Sequence, residues 1–161
     1  ALGRAGYEWY EISNWARPGA ECRHNQAYWL DWDWWGAGPG AHSHLGDVRL
    51  WNTKHPVAWA GQIFTGHLPV AGHEVIDAGS RELERIMLGI RLREGIALAS
   101  LGGASVTSSD DVGATPSHLV PVVAGLVADE LLDAGAAMRG RAVLTLRGRL
   151  MADTVTRALS Q

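Results

Sequence analysis

Apolar positions along the chain follow two periods. Residues 80–93 place Leu83, Ile86, Met87 and Ile90 at i, i+3, i+4 and i+7, one stripe of an amphipathic helix. Ser80 suits its N-cap and Gly95 its stop. Val57, Ala60 and Phe64 repeat that spacing and predict a helix from Pro56 to about Thr65. Leu119, Val122, Val123, Leu126 and Val127 make another apolar face, starting at Pro116 or Pro121. Both starts stay open, because a proline six residues into a helix kinks it. Leu150, Met151, Val155 and Leu159 predict a last helix over 147–159, and residues 97–101 read as one further turn.

Elsewhere the pattern is that of short strands. Residues 6–13 are rich in aromatics and predict a strand, which Asn14 to Gly19 breaks through the Pro18-Gly19 turn signal. Residues 21–33 read as one or two helical turns or a structured loop. Trp34-Trp35 reads as a short strand running into the glycine-rich stretch 36–43. Gly46-Asp47 is a hairpin-like turn before a strand at Val48 to Trp51, and 66–72 is a connection. Residues 102–115 are small and polar and read as a loop. Residues 136–138 and 143–146, around Arg139-Gly140, predict a β-hairpin. Helix, helix, hairpin, helix is the order of a winged-helix-like module, and no internal repeat is visible.

Composition sharpens the division. All eight Trp lie between Trp9 and Trp59. Residues 1–79 carry 5 basic and 8 acidic side chains; residues 80–161 carry 9 of each. A boundary therefore falls between 65 and 80. At 47% hydrophobic and 19% charged, the chain is not globally disordered. No apolar run is long enough to span a bilayer and no secretory signal opens the chain, so a cytoplasmic location is expected. The single cysteine, Cys22, excludes an internal disulfide and a cysteine-based metal centre. The surplus of Arg, 13 against one Lys, reads as codon composition rather than function.

Three stretches could carry chemistry. His24-Asn25-x-x-Tyr28-Trp29 sets an imidazole, an amide and two aromatics within six residues, with His24 and Tyr28 on one face if the segment is helical. Such a set can hold a flat metal-containing ligand, or be an aromatic core cluster with a bonded histidine. Gly36-x-Gly38-x-Gly40-Ala41-His42 lets backbone approach a ligand and its N–H groups meet an anionic one, or is a tight turn. His42, His44, His55, His67 and His73 lack the spacing of a zinc site and read as scattered, partly exposed histidines; no metal site is expected. Arg139, Arg141, Arg147, Arg149 and Arg157 make the C-terminal segment basic, but the acidic Asp129, Glu130 and Asp133 before it argue against nucleic acid. No self-sufficient set of catalytic residues is visible.

Tyr10-Glu-Ile-Ser-Asn-Trp-Ala16, then the His24 motif, then Gly36 to Ser43, resembles the C-terminal part of the HemW-type radical-SAM heme chaperones, a family related to the oxygen-independent coproporphyrinogen III oxidases. Met87 to Gly95 and Leu144 to Asp153 are similar to that family's C-terminal domain, so the likeness covers nearly the whole chain. The resemblance implies a mixed α/β and α+β chain. Residues 1–70 would be the last strands of a partial (β/α) radical-SAM barrel, and 76–161 a winged-helix-like domain. It makes His24, Asn25, Tyr28 and Trp29 a heme-associated motif. Gly36, Gly38, Gly40, Ala41 and His42 become a loop near the S-adenosylmethionine pocket. The implied partners are heme or a porphyrin, an apo-hemoprotein acceptor (membrane-associated ones included), and the barrel's N-terminal half. His-Asn-x-x-Tyr-Trp favours the chaperone over the oxidase, a radical decarboxylase of porphyrinogen propionates. A winged-helix module that binds a protein or nucleic acid is the remaining alternative. The family's [4Fe–4S] cluster sits on Cys-x-x-x-Cys-x-x-Cys. With one cysteine, this chain alone is expected neither to bind the cluster nor to perform radical chemistry. It reads as a C-terminal portion of such a protein.

Overall fold

Residues 1–101 and 115–161 are described by a computed structural model, so the loop expected over 102–115 falls, except for Thr115, outside the described residues. The chain divides into two units, one of residues 1–30 with 82–161 and the other of residues 31–81. This division differs from the boundary that composition suggests.

The smaller unit is built on an antiparallel sheet in the order β3-β4-β5, of strands His42–Leu45, Val48–Asn52 and Val70–Val75. Gly46 turns the β3–β4 hairpin with a φ of 58°, and Asp33 Oδ1 accepts its N–H at 2.7 Å. Helix α2, Pro56–Phe64, links β4 to β5 with its proline in the first turn, where a missing N–H costs nothing. β5 is a correction to the connection expected over 66–72. Between its terminal valines the residues are small or polar, and cross-strand pairing holds them: Leu50 faces His73 and Trp51 faces Gly72. A Cβ at Gly72 would meet the Trp51 ring at 2.5 Å, so only glycine lets the indole lie there.

In the larger unit, β1 (Glu8–Glu11) and β2 (Asn14–Ala16) form a hairpin. The expected break after residue 13 is thus the return strand. Its turn is tied by Ser13, whose N–H and hydroxyl both donate to the buried Glu11 carboxylate, at 3.3 and 3.2 Å. Helix α1, Arg23–Trp29, follows. The core lies in the C-terminal part: Ile86 and Ile90 of the 80–93 segment meet Leu98, Leu119, Leu126, Leu132, Leu144, Val155 and Leu159.

Helix α3 is Ala78–Gly89, and its cap is Asp77 rather than Ser80: Asp77 Oδ1 accepts the N–H groups of Gly79 and Ser80 at 2.9 and 3.0 Å. Leu83 and Met87, expected inside, are 46% and 37% exposed, so the buried stripe narrows to Ile86 and Ile90. Helix α4 is Leu119–Ala128, which places Pro121 in its first turn and leaves Pro116 outside, accepting the Leu119 N–H at 2.9 Å.

The hairpin expected over 136–146 is absent. Residues Ala134–Met138 form a short helix, α5, because Asp133 caps it by accepting the Ala136 N–H at 2.7 Å and the alanines favour a helix. Strand β7, Arg141–Ala142, then pairs with β6, Ile96–Ala97, from a distant part of the chain. The single last helix is two, α6 (Leu146–Leu150) and α7 (Ala152–Leu159), broken at Met151. Thr145 caps α6, its hydroxyl oxygen accepting the Gly148 N–H at 2.9 Å. Leu150 and Met151, expected inward, are 82% and 45% exposed, while Val155 and Leu159 are buried.

Candidate functional site

Four of the sequence motifs lie in the larger unit and meet through named contacts. Tyr10, on β1, is buried at 8% exposure. Its hydroxyl oxygen accepts from Asn25 Nδ2 at 3.2 Å, and its carbonyl accepts the Arg93 N–H at 3.1 Å. Glu11 bridges to Leu92 beside it. One tyrosine therefore joins the Tyr10–Ala16 segment, the His24 motif and the Met87–Gly95 segment. The fourth motif closes on the same hairpin: the Arg149 guanidinium stands 4.3 Å from the Trp9 ring centroid, and Arg91 pairs with Asp153.

Helix α1 carries the whole His24 motif. Asn25 points back to Tyr10, which fixes how the helix turns. His24 and Tyr28, four residues apart, lie on a shared face with ring centroids 5.1 Å apart and planes at 85°. Both are exposed, Tyr28 at 41%. The two nitrogens of His24 accept or donate no hydrogen bond among the described residues. Trp29 is half-buried, and its indole N–H is buried without a partner among the described residues. His24 and Tyr28 do not match the reading of an aromatic core cluster with a bonded histidine, whereas the half-buried Asn25 and Trp29 pack as such a cluster would. An imidazole with free nitrogens on an exposed aromatic face fits the donor chemistry of a heme iron.

The glycine loop lies in the smaller unit and is tied from within. Ser43 Oγ accepts the Gly36 N–H at 2.9 Å. Asn52 Nδ2 donates to the carbonyls of Gly36 and Gly38, at 3.2 and 2.9 Å. The Gly40 and Ala41 N–H groups bond the carbonyls of Thr53 and Gly38. Three of the N–H groups that could have met an anion are thus spent on the fold. A Cβ at Gly36 would meet the His42 carbonyl oxygen at 1.9 Å, so that glycine serves a close backbone approach.

His44 is not the scattered, partly exposed histidine that its spacing suggests. It is 4% exposed, its Nε2 is 3.0 Å from Asp31 Oδ1, and Trp34 stacks on it at 6.4 Å. Asp31 Oδ2 accepts from Arg81 at 2.6 Å, and Arg81 also pairs with Asp47. Hydrogen bonding to Asp47, reinforced by the Asp31 charge, raises the Arg81 pKa further above its ordinary value. Sequence spacing could not reveal this set, because Asp31, His44 and Arg81 sit on separate elements.

The cluster of the resembled family does not fit this chain: its one cysteine, Cys22, is exposed, and no group of three metal-binding side chains occurs among the described residues. No described helix is long and apolar enough to cross a membrane.

No protein-family model matches the chain. It is 46% identical, over 98% of its length, to "Heme chaperone HemW" of Mycobacterium tuberculosis, and spans 36% of that relative. It is 35% identical over 71% of its length to the protein of the same name from a Synechocystis strain, covering 28% of it. It is 32% identical over 59% of its length to the bovine mitochondrial "Radical S-adenosyl methionine domain-containing protein 1", covering 23%. Among solved structures it is similar to the coproporphyrinogen III oxidase HemN of Escherichia coli, a radical SAM enzyme. That match has a TM-score of 0.64 at 16% identity, over 99% of this chain and 38% of that one. At this identity the structural likeness speaks for the fold, a mixed α/β arrangement with small sheets.

Proposed function

This chain is a counterpart of the C-terminal portion of the HemW family, and from that premise we propose that it supplies the heme-holding segment of a heme chaperone. The observation that carries the proposal is helix α1: an exposed imidazole whose nitrogens have no hydrogen-bond partner among the described residues, edge-on to an exposed tyrosine, on a helix oriented by the Asn25–Tyr10 bond. In this proposal His24 reaches the heme iron and Tyr28 lies against the macrocycle. Asn25 orients the helix, and Trp29 offers its buried N–H and ring edge. The heme would supply the metal and the flat apolar surface; the protein would supply the imidazole and its position.

The finer assignments belong to the same proposal. Residues 1–70 would complete a radical-SAM barrel whose N-terminal half binds the cluster. Residues 76–161 would form a winged-helix-like closing domain, supported by the helix–strand–helix–helix–strand order and without a hairpin wing. Gly36, Gly38, Gly40, Ala41 and His42 would border the S-adenosylmethionine pocket through their shape, most of their N–H groups being spent internally. The acceptor would be an apo-hemoprotein of the cytoplasm or of the membrane face. The oxidase reading is not favoured, since the Mycobacterium and Synechocystis relatives that match by sequence are named heme chaperones and the oxidase likeness, at 16% identity, speaks only for the fold.

The test is a heme titration followed at the Soret band with the wild-type chain and His24→Ala. Saturable binding with a spectrum that changes in the variant is the expected result. An unchanged Soret band and affinity would remove His24 from the site.

A further inference from the structure

The chaperone reading leaves unused a groove that opens where α1 ends. It encloses about 760 Å³, within the 300–1,000 Å³ range of small-molecule sites. Leu30, Leu92, Val143 and Ala136 give its apolar lining, and Arg93, Arg139 and Arg141 its cationic lining. Leu30 directly follows the motif helix. Leu92 and Arg93 belong to the segment held by Glu11 and Tyr10. Groove and motif helix thus share one scaffold, all of it in the larger unit.

The charges are unevenly committed. Arg93 is taken by Glu8. Arg141 donates to the carbonyl oxygens of Glu94 and Gly95, at 2.9 and 3.0 Å, which orients its guanidinium without neutralising it. Arg139 is exposed and has no carboxylate partner among the described residues. Two carboxylates also line the groove, Glu94 and Asp133, the latter accepting the Ala136 N–H at the start of α5; neither is ion-paired with Arg139 or Arg141 among the described residues. Arg139 and Arg141 flank Gly140, whose φ of 76° makes the turn between α5 and β7 and fixes their spacing. An apolar hollow with two guanidiniums that make no ion pair among the described residues matches a flat apolar molecule that bears two carboxylates, because guanidinium–carboxylate pairs are directional and charge-assisted.

We propose that this groove receives the propionate edge of a tetrapyrrole, with Arg139 and Arg141 binding its two carboxylates and Leu30 and Leu92 packing on the ring. The inference rests on the heme reading above and adds to it the groups that grip the carboxylate edge of the ligand.

Protoporphyrin IX, which carries both propionates and no iron, separates the two. Its fluorescence is titrated with the wild-type chain, Arg139→Gln, Arg141→Gln and His24→Ala, and again with the dimethyl ester in place of the free acid. Loss of one charge-assisted pair corresponds to about a tenfold weakening. The expected result is such a weakening in both arginine variants, none in His24→Ala, and an ester that binds weakly and alike to all. Arg141 also holds two backbone carbonyls, so thermal melts accompany the series, and Arg139→Glu repeats the test if Arg141→Gln unfolds. The proposal is overturned if the wild type does not bind the free acid, if Arg139→Gln binds it as well as the wild type, or if the ester binds equally well. His24-dependent heme binding alongside an indifferent Arg139→Gln would remove the groove and leave the chaperone reading standing.

Discussion

Two helical glycines show how differently one residue type is used. Gly61 in α2 has nothing within 4 Å of the place a Cβ would take, whereas a Cβ at Gly148 in α6 would strike the Leu131 carbonyl oxygen at 1.9 Å. Gly61→Ala is expected to stabilise the chain by about 0.5–1 kcal/mol, the entropy a glycine loses in a helix. Gly148→Ala is expected to destabilise it by about 1–3 kcal/mol, because backbone must move. Urea unfolding of both variants checks the pair, and equal midpoints would contradict the close approach. Tyr10 makes the same point for a polar group. Tyr10→Phe removes the acceptor for Asn25 and is expected to cost about 1 kcal/mol, read from the same unfolding curves. The motif His24–Trp29 was legible because a four-residue spacing is a local property of a helix. The role of Tyr10 was not, since its partners Asn25 and Arg93 are remote in sequence. His44 escaped for the same reason: its burial is made by Asp31 and Trp34, and no spacing encodes it.

Helix ends carry the next level of specification. Hydrogen bonds from the Ser80 hydroxyl and N–H, then from Gly79, hold the Asp77 carboxyl below its ordinary value. A carboxyl whose pKa is depressed by folding stabilises the fold above its unfolded value of 3.8 and loses that contribution as pH falls through its lower folded value. Asp77→Asn should therefore differ most from the wild type near neutral pH and converge with it as pH falls below 3.8 and through the lower folded value. Thermal melts across that range would show the convergence; a constant gap would mean the charge is not what caps α3. The elements with strong period, α2 and α3, were legible from their apolar spacing, and the β3–β4 hairpin from its Gly-Asp turn. The β5 strand was hidden because Ala, Gly, His and Glu separate its two valines, and cross-strand pairing, not alternation, defines it. The short α5 was hidden because five residues of Ala, Gly and Met show no face, and only the Asp133 cap decides for a helix. Asp133→Ala is expected to cost about 1 kcal/mol and to loosen the turn that spaces Arg139 and Arg141.

At the scale of the whole chain, heme handling and radical chemistry make separable demands. The histidine-ligated heme site proposed above asks for one imidazole and an apolar face, and the residues it draws on, in α1 and its neighbouring groove, all lie within a single unit. A four-iron cluster with an open iron for S-adenosylmethionine needs three thiolates held together, because each of the other irons takes a cysteine sulfur. This chain has one thiol, on the exposed Cys22, and its described residues bring no three metal-binding side chains into one place. Anaerobic reconstitution with ferrous iron and sulfide, followed by desalting, should leave no stoichiometric iron and no cluster absorption on the chain. The same preparation should still take up heme and respond to His24→Ala. Retention of four irons per chain would contradict the thiolate argument outright. Heme uptake that appears only after the chain is joined to a cluster-bearing partner would instead place part of the heme site on that partner, and would confine the role of α1 to one wall of it.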